Sequence, residues 1–258
     1  MADNIVILEY QDNFADNFTT YTYGKILQKD SSNKCFWENS TKLRSEFEKN
    51  MDYFNLEYSY LSTSRVNNIA KTALRANDKI LNKTKINKIK KSKKDKLINL
   101  KHFKIDDLSL IDDEIKENIK FKEINFIKNH DILEEIQKTN SIGVYFDKKD
   151  INNIDEFKEF LSKTTKRLNK YLKKPKLYIF SKEKFEIESN IEYKIITLND
   201  WREEFHFLTN CKNKIIPNLK HSYSQNFWAT QYNQKEYFYI AYDKKIISKT
   251  KPKNWLAI

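Results

Sequence analysis

The sequence has very few of the residues that form tight turns. Its 258 residues include only two glycines and three prolines. Glycine tolerates positive φ and lets the backbone approach a phosphate closely, so this scarcity excludes a glycine-rich phosphate-binding loop. We expect the turns to rely on Asn, Asp and Ser instead.

Cysteine is almost as rare, with Cys35 and Cys211 far apart in the chain. Neither has a cysteine or histidine partner at the spacing of a metal site, which argues against a metal centre. Free cysteine is among the most buried residue types. We therefore predict two buried free thiols.

Long hydrophobic runs are also missing. No stretch approaches the ~20 apolar residues that cross a bilayer. The N-terminus does not pair a basic region with a long apolar segment and a small-residue cleavage site, as a secretory signal would. The sequence predicts a cytoplasmic protein. Its 39% hydrophobic and 33% charged residues are typical of a globular chain.

Arginine is scarce although the net charge is +12, because lysine carries nearly all of the positive charge. Base readout and bidentate phosphate contacts favour arginine. The abundance of Lys, Asn and Ile along the whole chain indicates a compositional bias rather than a binding surface. The composition therefore argues against nucleic acid as a partner.

Lysines are densest in residues 80–104, where Asp95 is the only acidic residue. This Lys-rich segment is predicted to be a basic amphipathic helix or an extended loop, exposed as an insertion because burying so many charges is costly. A solvated surface, contact with anionic lipid or a polyanionic substrate, and contact with nucleic acid are alternative roles.

The first half begins with one strand, loop and helix unit. Residues 5–8 form a short apolar run that predicts a buried strand. A polar loop at 9–17 and a helix at 18–27 follow. Residues 106–140 indicate helices, with an acidic start at 112–114 that suits a helix N-terminus. Residues 129–140 are interpreted as the crossing between two domains, 1–140 and 141–258.

The second half alternates strands with helices, the pattern of a Rossmann-like domain. An amphipathic helix is predicted at 155–172, and Asp200 with Glu203 resembles a capping box that opens a second helix. The predicted strands are 142–146, 177–180, 194–197, 214–216 and 237–241.

Four segments resemble the bacterial alpha-1,2-fucosyltransferase family in order and spacing. The chain reads Leu-Tyr-Ile-Phe-Ser at 177–181, Cys-Lys-Asn at 211–213 and Ile-Ile-Pro-Asn at 215–218. The family reads Tyr-Ile-Phe-Ser-Asp-Asp, then a helix ending in Cys-Lys-His, then Ile-Ile-Ala-Asn-Ser-Thr-Phe-Ser-Trp. Asn218 and Ser222 match that last motif, and Tyr223 keeps an aromatic ring.

A central motif of the family is Val-His-x-Arg-Arg-Gly-Asp, whose arginines hold the nucleotide diphosphate. Its counterpart here is Val-Tyr-Phe-Asp-Lys-Lys-Asp at 144–150. Asp150 matches, while Tyr145 replaces the histidine and Asp147 and Lys148 replace the arginines. An aspartate repels a pyrophosphate, and a lysine offers a point charge without the planar fork of arginine.

The N-terminal glycine-rich motif of the family, Gly-Gly-x-Gly-Asn-Gln-x-x-Gln-Tyr-Ala-x-Gly, corresponds to residues 15–24. Tyr21 and Gly24 match it. In the family this loop faces the substrate cleft. The resemblance therefore implies an acceptor-side loop that contains Asp16, Asn17 and Tyr21.

The resemblance implies an α/β fold of GT-B type, in which two Rossmann-like domains face a cleft. The implied activity is sugar transfer from a nucleotide donor, with GDP-linked sugars as one option, to a bacterial surface polysaccharide such as a capsule, or to an oligosaccharide. It implies no metal and no cofactor beyond that donor. Asp150 is the candidate base or site organiser. The implied donor-binding residues are Tyr145, Lys148, Ser181, Asn218, His221, Ser222 and Tyr223.

Two other functions remain open. The lost arginines and glycines favour a non-catalytic carbohydrate-binding or interaction domain that kept the fold, and a transferase with a changed, non-sugar donor is a further option. The same residues also have purely structural interpretations. Asn218 and Ser222 could cap a helix, Asp150 could be the N-cap before Ile151, and His206 could be a core residue.

Overall fold

The computed structural model describes residues 5–11, 13–29, 34–37, 41–60, 96–98, 111–232, 239–246 and 254–258. The chain forms two compact units. Unit 1 contains Met1–Phe103 and Leu110–Glu123, and unit 2 contains Lys104–Ser109 and Ile124–Ile258. From Ile124 onward the whole chain belongs to unit 2, whereas the sequence placed the boundary after Asn140. The helix His130–Lys138 lies before that predicted boundary and packs on the sheet of unit 2.

Unit 1 has a three-stranded parallel sheet in the order β2-β1-β3. The strand predicted at 5–8 is confirmed. Its described elements, in chain order, are β1 (Ile5–Leu8), α1 (Phe14–Lys29), β2 (Lys34–Trp37), α2 (Thr41–Met51), β3 (Lys96–Ile98) and α3 (Asp113–Asn118).

Helix α1 begins earlier than the sequence predicted. The loop expected over 9–17 ends at Asn13, because the Asn13 side chain accepts a hydrogen bond from the Asp16 amide at 2.8 Å, as an N-cap does. Asp16 and Asn17 therefore lie in the first turn of the helix rather than in the loop.

Both glycines lie inside regular elements, at close approaches between a helix and a strand. A Cβ on Gly24 of α1 would lie 2.8 Å from a methyl carbon of Leu8, and one on Gly143 would lie 2.7 Å from the Cys211 sulfur. Neither glycine has a positive φ, and among the described residues only Lys174, at 47°, is a non-glycine residue that does. The turns are built without glycine, as the composition predicted.

Unit 2 contains a six-stranded sheet in which every strand pairs in parallel with its neighbours. The prediction of an α/β chain with two Rossmann-like units is confirmed. Its elements are α4 (His130–Lys138), β4 (Asn140–Phe146), a 3-10 helix (Lys148–Asn153), α5 (Ile154–Leu168), β5 (Pro175–Ser181), β6 (Glu192–Ile196), α6 (Trp201–Asn210), β7 (Asn213–Ile216), α7 (Tyr223–Tyr232), β8 (Ile240–Tyr242) and β9 (Trp255–Ala257).

The strand order β6-β5-β4-β7-β8-β9 places the first strand of the unit at the centre of the sheet. The chain builds outward from β4 through β5 to β6, then returns to the other side of β4 with β7. This is the doubly wound order, and its topological switch point lies between β4 and β7. On one face the apolar side chains of β4 and β5 pack against α5 through Phe157, Leu161 and Leu168.

Three further sequence predictions differ from the structure. The helix predicted to reach Leu172 ends at Leu168. Asp200 caps α6 by accepting from the Arg202 amide, but Glu203 does not close a capping box, because its carboxylate binds the amides of Lys128 and Asn129 instead. Cys211 is a buried free thiol as predicted, whereas Cys35 is only half-buried.

Most of the Lys-rich segment lies outside the described residues. Its part at Lys96–Ile98 is strand β3 of unit 1, rather than a helix or a loop. Contact between this segment and an anionic membrane stays a prediction from the sequence. Among the described helices, none is long and apolar enough to cross a membrane.

Glu135 fastens α4 to the sheet of unit 2. Its two carboxylate oxygens lie 2.8 Å from the ammonium groups of Lys176 on β5 and Lys194 on β6. These two lysines lower the pKa of Glu135 to about 2, with Lys176 contributing most. The pair is partly exposed, so we expect it to contribute about 1 kcal/mol rather than the full electrostatic value.

We predict that Glu135→Gln lowers stability at pH 7 by about 1 kcal/mol. The folded-state pKa lies below the unfolded one, so the contribution is complete above pH 5 and is lost as the pH falls towards 2. Urea unfolding at pH 7 and pH 3 measures this. Glu134→Gln, at an exposed position of the same helix, is the control. Equal effects of the two variants at pH 7 would contradict the assignment.

Candidate active site

The candidate site lies at the carboxyl edge of the sheet in unit 2, at the switch point between β4 and β7. Ligands of doubly wound sheets bind outside the carboxyl ends of strands at such a point. The segment after β4 continues into the 3-10 helix Lys148–Asn153, and the segment after β7 leads into α7 at Tyr223. Two of the sequence motifs that resemble the fucosyltransferase family form these two segments.

Asp150 joins the two segments. Its side chain is 1% exposed and accepts hydrogen bonds from the Ser222 amide at 2.8 Å and the Ser222 hydroxyl at 2.7 Å. The His221 amide also donates to it, at 3.1 Å. A buried carboxylate with three donors is well compensated for its lost hydration. Asp150 thus fixes the chain just before α7, the position of an anion at a helix N-terminus.

Ser222 connects the same two segments through its hydroxyl, which acts both as a donor and as an acceptor. Its hydroxyl donates to Asp150 and accepts a hydrogen bond from the Asp147 amide at 2.9 Å. The Asp147 carboxylate accepts from the Lys149 amide at 2.8 Å, so Asp147 is the N-cap of the 3-10 helix. The cap that the sequence offered for Asp150 therefore belongs to Asp147, three residues earlier.

Asn226 was not predicted from the sequence, although it holds the end of β4. Its side chain accepts from the Tyr145 amide at 2.7 Å and donates to the Tyr145 carbonyl at 2.8 Å. The Asn226 side chain thereby bonds both backbone polar groups of Tyr145, as a neighbouring strand would. The available signal was its position in the first turn of a helix that buries polar residues on all sides: Ser224, Gln225, Asn226, Thr230 and Gln231.

Glu204 was also missed, and it is the most perturbed carboxyl group of the site. It lies in the first turn of α6, is 5% exposed, and accepts a hydrogen bond from the Gln225 side chain at 3.2 Å. Burial raises its pKa to about 7. The nearby Tyr145 hydroxyl donates to Asp147 at 3.0 Å, and burial raises the pKa of this phenol well above its usual range. The sequence indicated this residue only as a second glutamate, directly after Glu203, which was expected to complete the capping box.

The other predicted donor-binding residues have varied surroundings. Lys148 is exposed on the 3-10 helix. Ser181 is fully buried at the end of β5, opposite Phe146 of β4, and its hydroxyl accepts from the Glu183 amide at 3.0 Å. The Tyr223 ring is buried and stacks on Phe227, with ring centres 5.6 Å apart. Asn218 and His221 are half-buried in the segment between β7 and α7.

The structure therefore brings Asp150, Ser222 and the His221 backbone into direct contact, and Asn226 fixes Tyr145 beside them. Ser181 lies on the neighbouring strand end and bonds locally. His206, interpreted from the sequence as a core residue, is half-buried on α6, and its desolvation lowers its pKa to about 4.

The predicted acceptor-side residues lie in unit 1. The Asn17 side chain accepts from the Gln11 amide at 2.9 Å and donates to the Gln11 carbonyl, so it shapes the loop before α1. Asp16 is buried and accepts from the Asn13 side chain. Tyr21 and Gly24 line a pocket of about 480 Å³. Other lining residues are Lys25, Trp37, Asp52, Glu57 and Tyr58.

The described part of the chain contains no cluster of three or more His, Cys, Asp or Glu side chains that could hold a metal ion. At the candidate site the carboxylates have other roles. Asp150 and Asp147 are occupied by amide and hydroxyl donors, and Glu204 is bound by an amide side chain.

No protein-family model and no curated protein matches the sequence. Among solved structures, the chain is similar to fucosyltransferase NodZ from Bradyrhizobium, at 10% identity and a TM-score of 0.46, over 89% of this chain and 92% of that one. It is also similar to NodZ alpha-1,6-fucosyltransferase co-crystallised with GDP and soaked with GDP-fucose, each at 11% identity and a TM-score of 0.44 over the same shares. At this level the likeness concerns the order of helices and strands and says nothing of the activity of the chain.

Proposed function

We propose that the chain is a glycosyltransferase of the GT-B type, which transfers a sugar from a nucleotide diphosphate donor to a polysaccharide or oligosaccharide acceptor. One observation carries this proposal. Asp150 and Ser222 match two separate motifs of the fucosyltransferase family, lie 72 residues apart, and are hydrogen-bonded at the switch point of a doubly wound sheet. A chance likeness between short motifs gives no reason for such a convergence.

Two features of the edge suit a leaving diphosphate. Lys148 and Lys149 are exposed at the end of β4 and can supply positive charge. The N-terminus of α7 points its dipole at the same edge. Sugar transfer requires stabilisation of the negative charge that develops on the leaving diphosphate. We therefore assign Lys148 and the segment 218–222 to the diphosphate.

Asp150 is assigned the role of site organiser rather than that of base. A base must reach the acceptor hydroxyl. The Asp150 carboxylate is buried, and the donors around it come from the chain itself. Its contribution to transfer is to hold the segment before α7 in place.

The pocket beside Tyr21 is our candidate for the acceptor. The half-buried Tyr58 ring can cover the apolar face of a sugar ring, and the exposed carboxylates of Asp52 and Glu57 can accept from its hydroxyls. This keeps the acceptor on unit 1 and the donor on unit 2.

A second candidate function is carbohydrate binding without catalysis. It is favoured by Asp147, which stands where the family has an arginine and serves as a helix cap here. Tyr223 also packs into the core, which leaves its ring unsuited to stacking on a nucleotide base. A donor with a non-sugar group is the remaining alternative.

Nucleotide-sugar turnover distinguishes these functions. The protein is incubated with GDP-, UDP- and CDP-linked sugars in the presence of an oligosaccharide mixture, and release of the diphosphate is measured. Transferase activity predicts release with one nucleotide above the level of a sample without protein. Binding of a diphosphate without any release would favour the binding domain. The absence of both binding and release would rule out the transferase.

We predict that Lys148→Ala weakens binding of the diphosphate about tenfold, because a charged hydrogen bond is worth about 1.5–3 kcal/mol. Thermal stability is measured as the nucleotide concentration rises, since ligand at 100 times its Kd adds about 2.7 kcal/mol. Lys166→Ala, at an exposed position of α5, is the control and should bind as the wild type does. If both variants bound the diphosphate with equal affinity, Lys148 would not be part of the diphosphate site.

A further inference from the structure

Glu204 combines deep burial with few hydrogen-bond donors. Its Oε1 accepts from Gln225, and no other hydrogen bond to this side chain occurs within the described residues. The adjacent Glu203 is equally buried, but it receives donors from Lys128 and from both the backbone and the side chain of Asn129, at 2.7 to 2.9 Å. Of the two glutamates, only Glu203 has the donors that a buried charge needs.

The charged surroundings of Glu204 come from three elements. Asp147 follows β4 and repels a negative charge on Glu204, whereas Lys182 follows β5 and favours one. A negative charge on Glu204 also repels the phenolate form of Tyr145 on β4, which adds to the effect of burial in raising the pKa of that phenol. Helix α7 contributes the uncharged Gln225. Helix α4 also packs on α6, but its hydrogen bond is between Gln137 and Asn210, six residues and about 9 Å along α6 from Glu204.

On the premise of the proposed function, we propose that Glu204 takes up a proton when a nucleoside diphosphate binds at the carboxyl edge of unit 2. The diphosphate adds at least two negative charges beside Asp147 and Glu204. Asp147 and Asp150 each accept hydrogen bonds from backbone amides that compensate a negative charge. Glu204 is therefore the carboxyl group of this edge that can relieve the repulsion by becoming neutral. The proton passes from hydronium or a buffer acid in the solvent to a carboxylate oxygen of Glu204, and no bond to carbon or phosphorus changes.

This coupling makes diphosphate binding depend on pH. Burial already raises the pKa of Glu204 to about 7, so the group is mostly ionised at pH 8 in the free protein. Binding must then include the uptake of close to one proton, and affinity falls as the pH rises above 7, approaching tenfold per pH unit. The terminal phosphate of the nucleotide, with a pKa of about 6, is already ionised at pH 8 and contributes little to this uptake.

The test is a calorimetric titration of GDP, UDP and CDP into the full chain at pH 8 in HEPES and in Tris. These buffers release protons with different enthalpies, so the difference in observed heat gives the number of protons bound. We expect close to one proton for the wild type and close to none for Glu204→Gln, which also binds several-fold more tightly at pH 8. Glu186→Gln, at an exposed position after β5, should take up a proton as the wild type does.

Binding with no proton uptake by the wild type, or with the same uptake by Glu204→Gln, would overturn this inference and leave the proposed function standing. Failure of all three nucleotides to bind either protein between pH 6 and pH 8 would overturn the proposed function itself. The two failures are therefore distinguishable within one set of titrations.

Discussion

Asp150→Asn should lower the free energy of unfolding by about 3 kcal/mol, one of the largest effects expected of a single substitution in this chain. An asparagine offers one acceptor oxygen where Asp150 accepts from two amides and a hydroxyl, and its amide nitrogen would face donors. Buried donors that lose a charged acceptor carry their full desolvation cost. The loosened segment before α7 should also lose its affinity for a diphosphate.

Denaturant unfolding at pH 7 measures the stability, with Asp131→Asn on α4 as the control for an exposed aspartate. The control should change stability by less than about 0.5 kcal/mol. If Asp150→Asn were as stable as the control, Asp150 would not connect the two segments, and the site as described would be wrong.

Glu203→Gln and Glu204→Gln should have opposite effects at pH 8, although the residues are adjacent and equally buried. Glu203→Gln replaces a carboxylate that accepts three hydrogen bonds and is expected to destabilise the fold by about 2 kcal/mol. Glu204→Gln removes a poorly compensated buried charge. This substitution is expected to stabilise the fold by about 2 kcal/mol. That is somewhat less than the free energy given by the pKa shift of Glu204 at 1.36 kcal/mol per unit.

The sign of the Glu204 effect follows from its pKa, which rises from 4.5 to about 7 on folding. Between these values the folded state retains a proton that the unfolded chain has released, so wild-type stability falls as the pH increases from 5 to 7. The advantage of Glu204→Gln should therefore nearly vanish at pH 5. Thermal unfolding of both variants at pH 5 and pH 8 measures this, and a pH-independent gain for Glu204→Gln would contradict the burial of an ionised group.

The fold class could be predicted because the strands of unit 2 are short apolar runs buried on both faces. Residues 142–146 and 177–180 are such runs, and both fall inside the observed strands β4 and β5. The domain boundary could not be predicted in this way. Helix α4 has an amphipathic pattern that fits either unit, and only contacts such as those of Glu135 with Lys176 and Lys194 assign it to unit 2.

The candidate site was predictable only in part, for a physical reason. Asp150 and Ser222 matched motifs of a family, so their convergence could be expected from the fold. Asn226, Glu203 and Glu204 act through partners distant in sequence, and a helical sequence does not reveal which of its polar residues face inward. The supposed capping box illustrates this limit, because Asp200 does cap α6 while Glu203 binds a different segment of the chain.

The nucleotide diphosphate site can be tested by calorimetric titration of the wild-type chain with GDP, UDP and CDP at pH 7, without metal. We expect at least one of them to bind with a measurable heat at submillimolar to millimolar ligand. We also expect Lys148→Ala to weaken this binding about tenfold, while Lys166→Ala does not. The absence of heat for all three nucleotides at millimolar concentration would contradict the claim that the edge between β4 and β7 is a nucleotide diphosphate site.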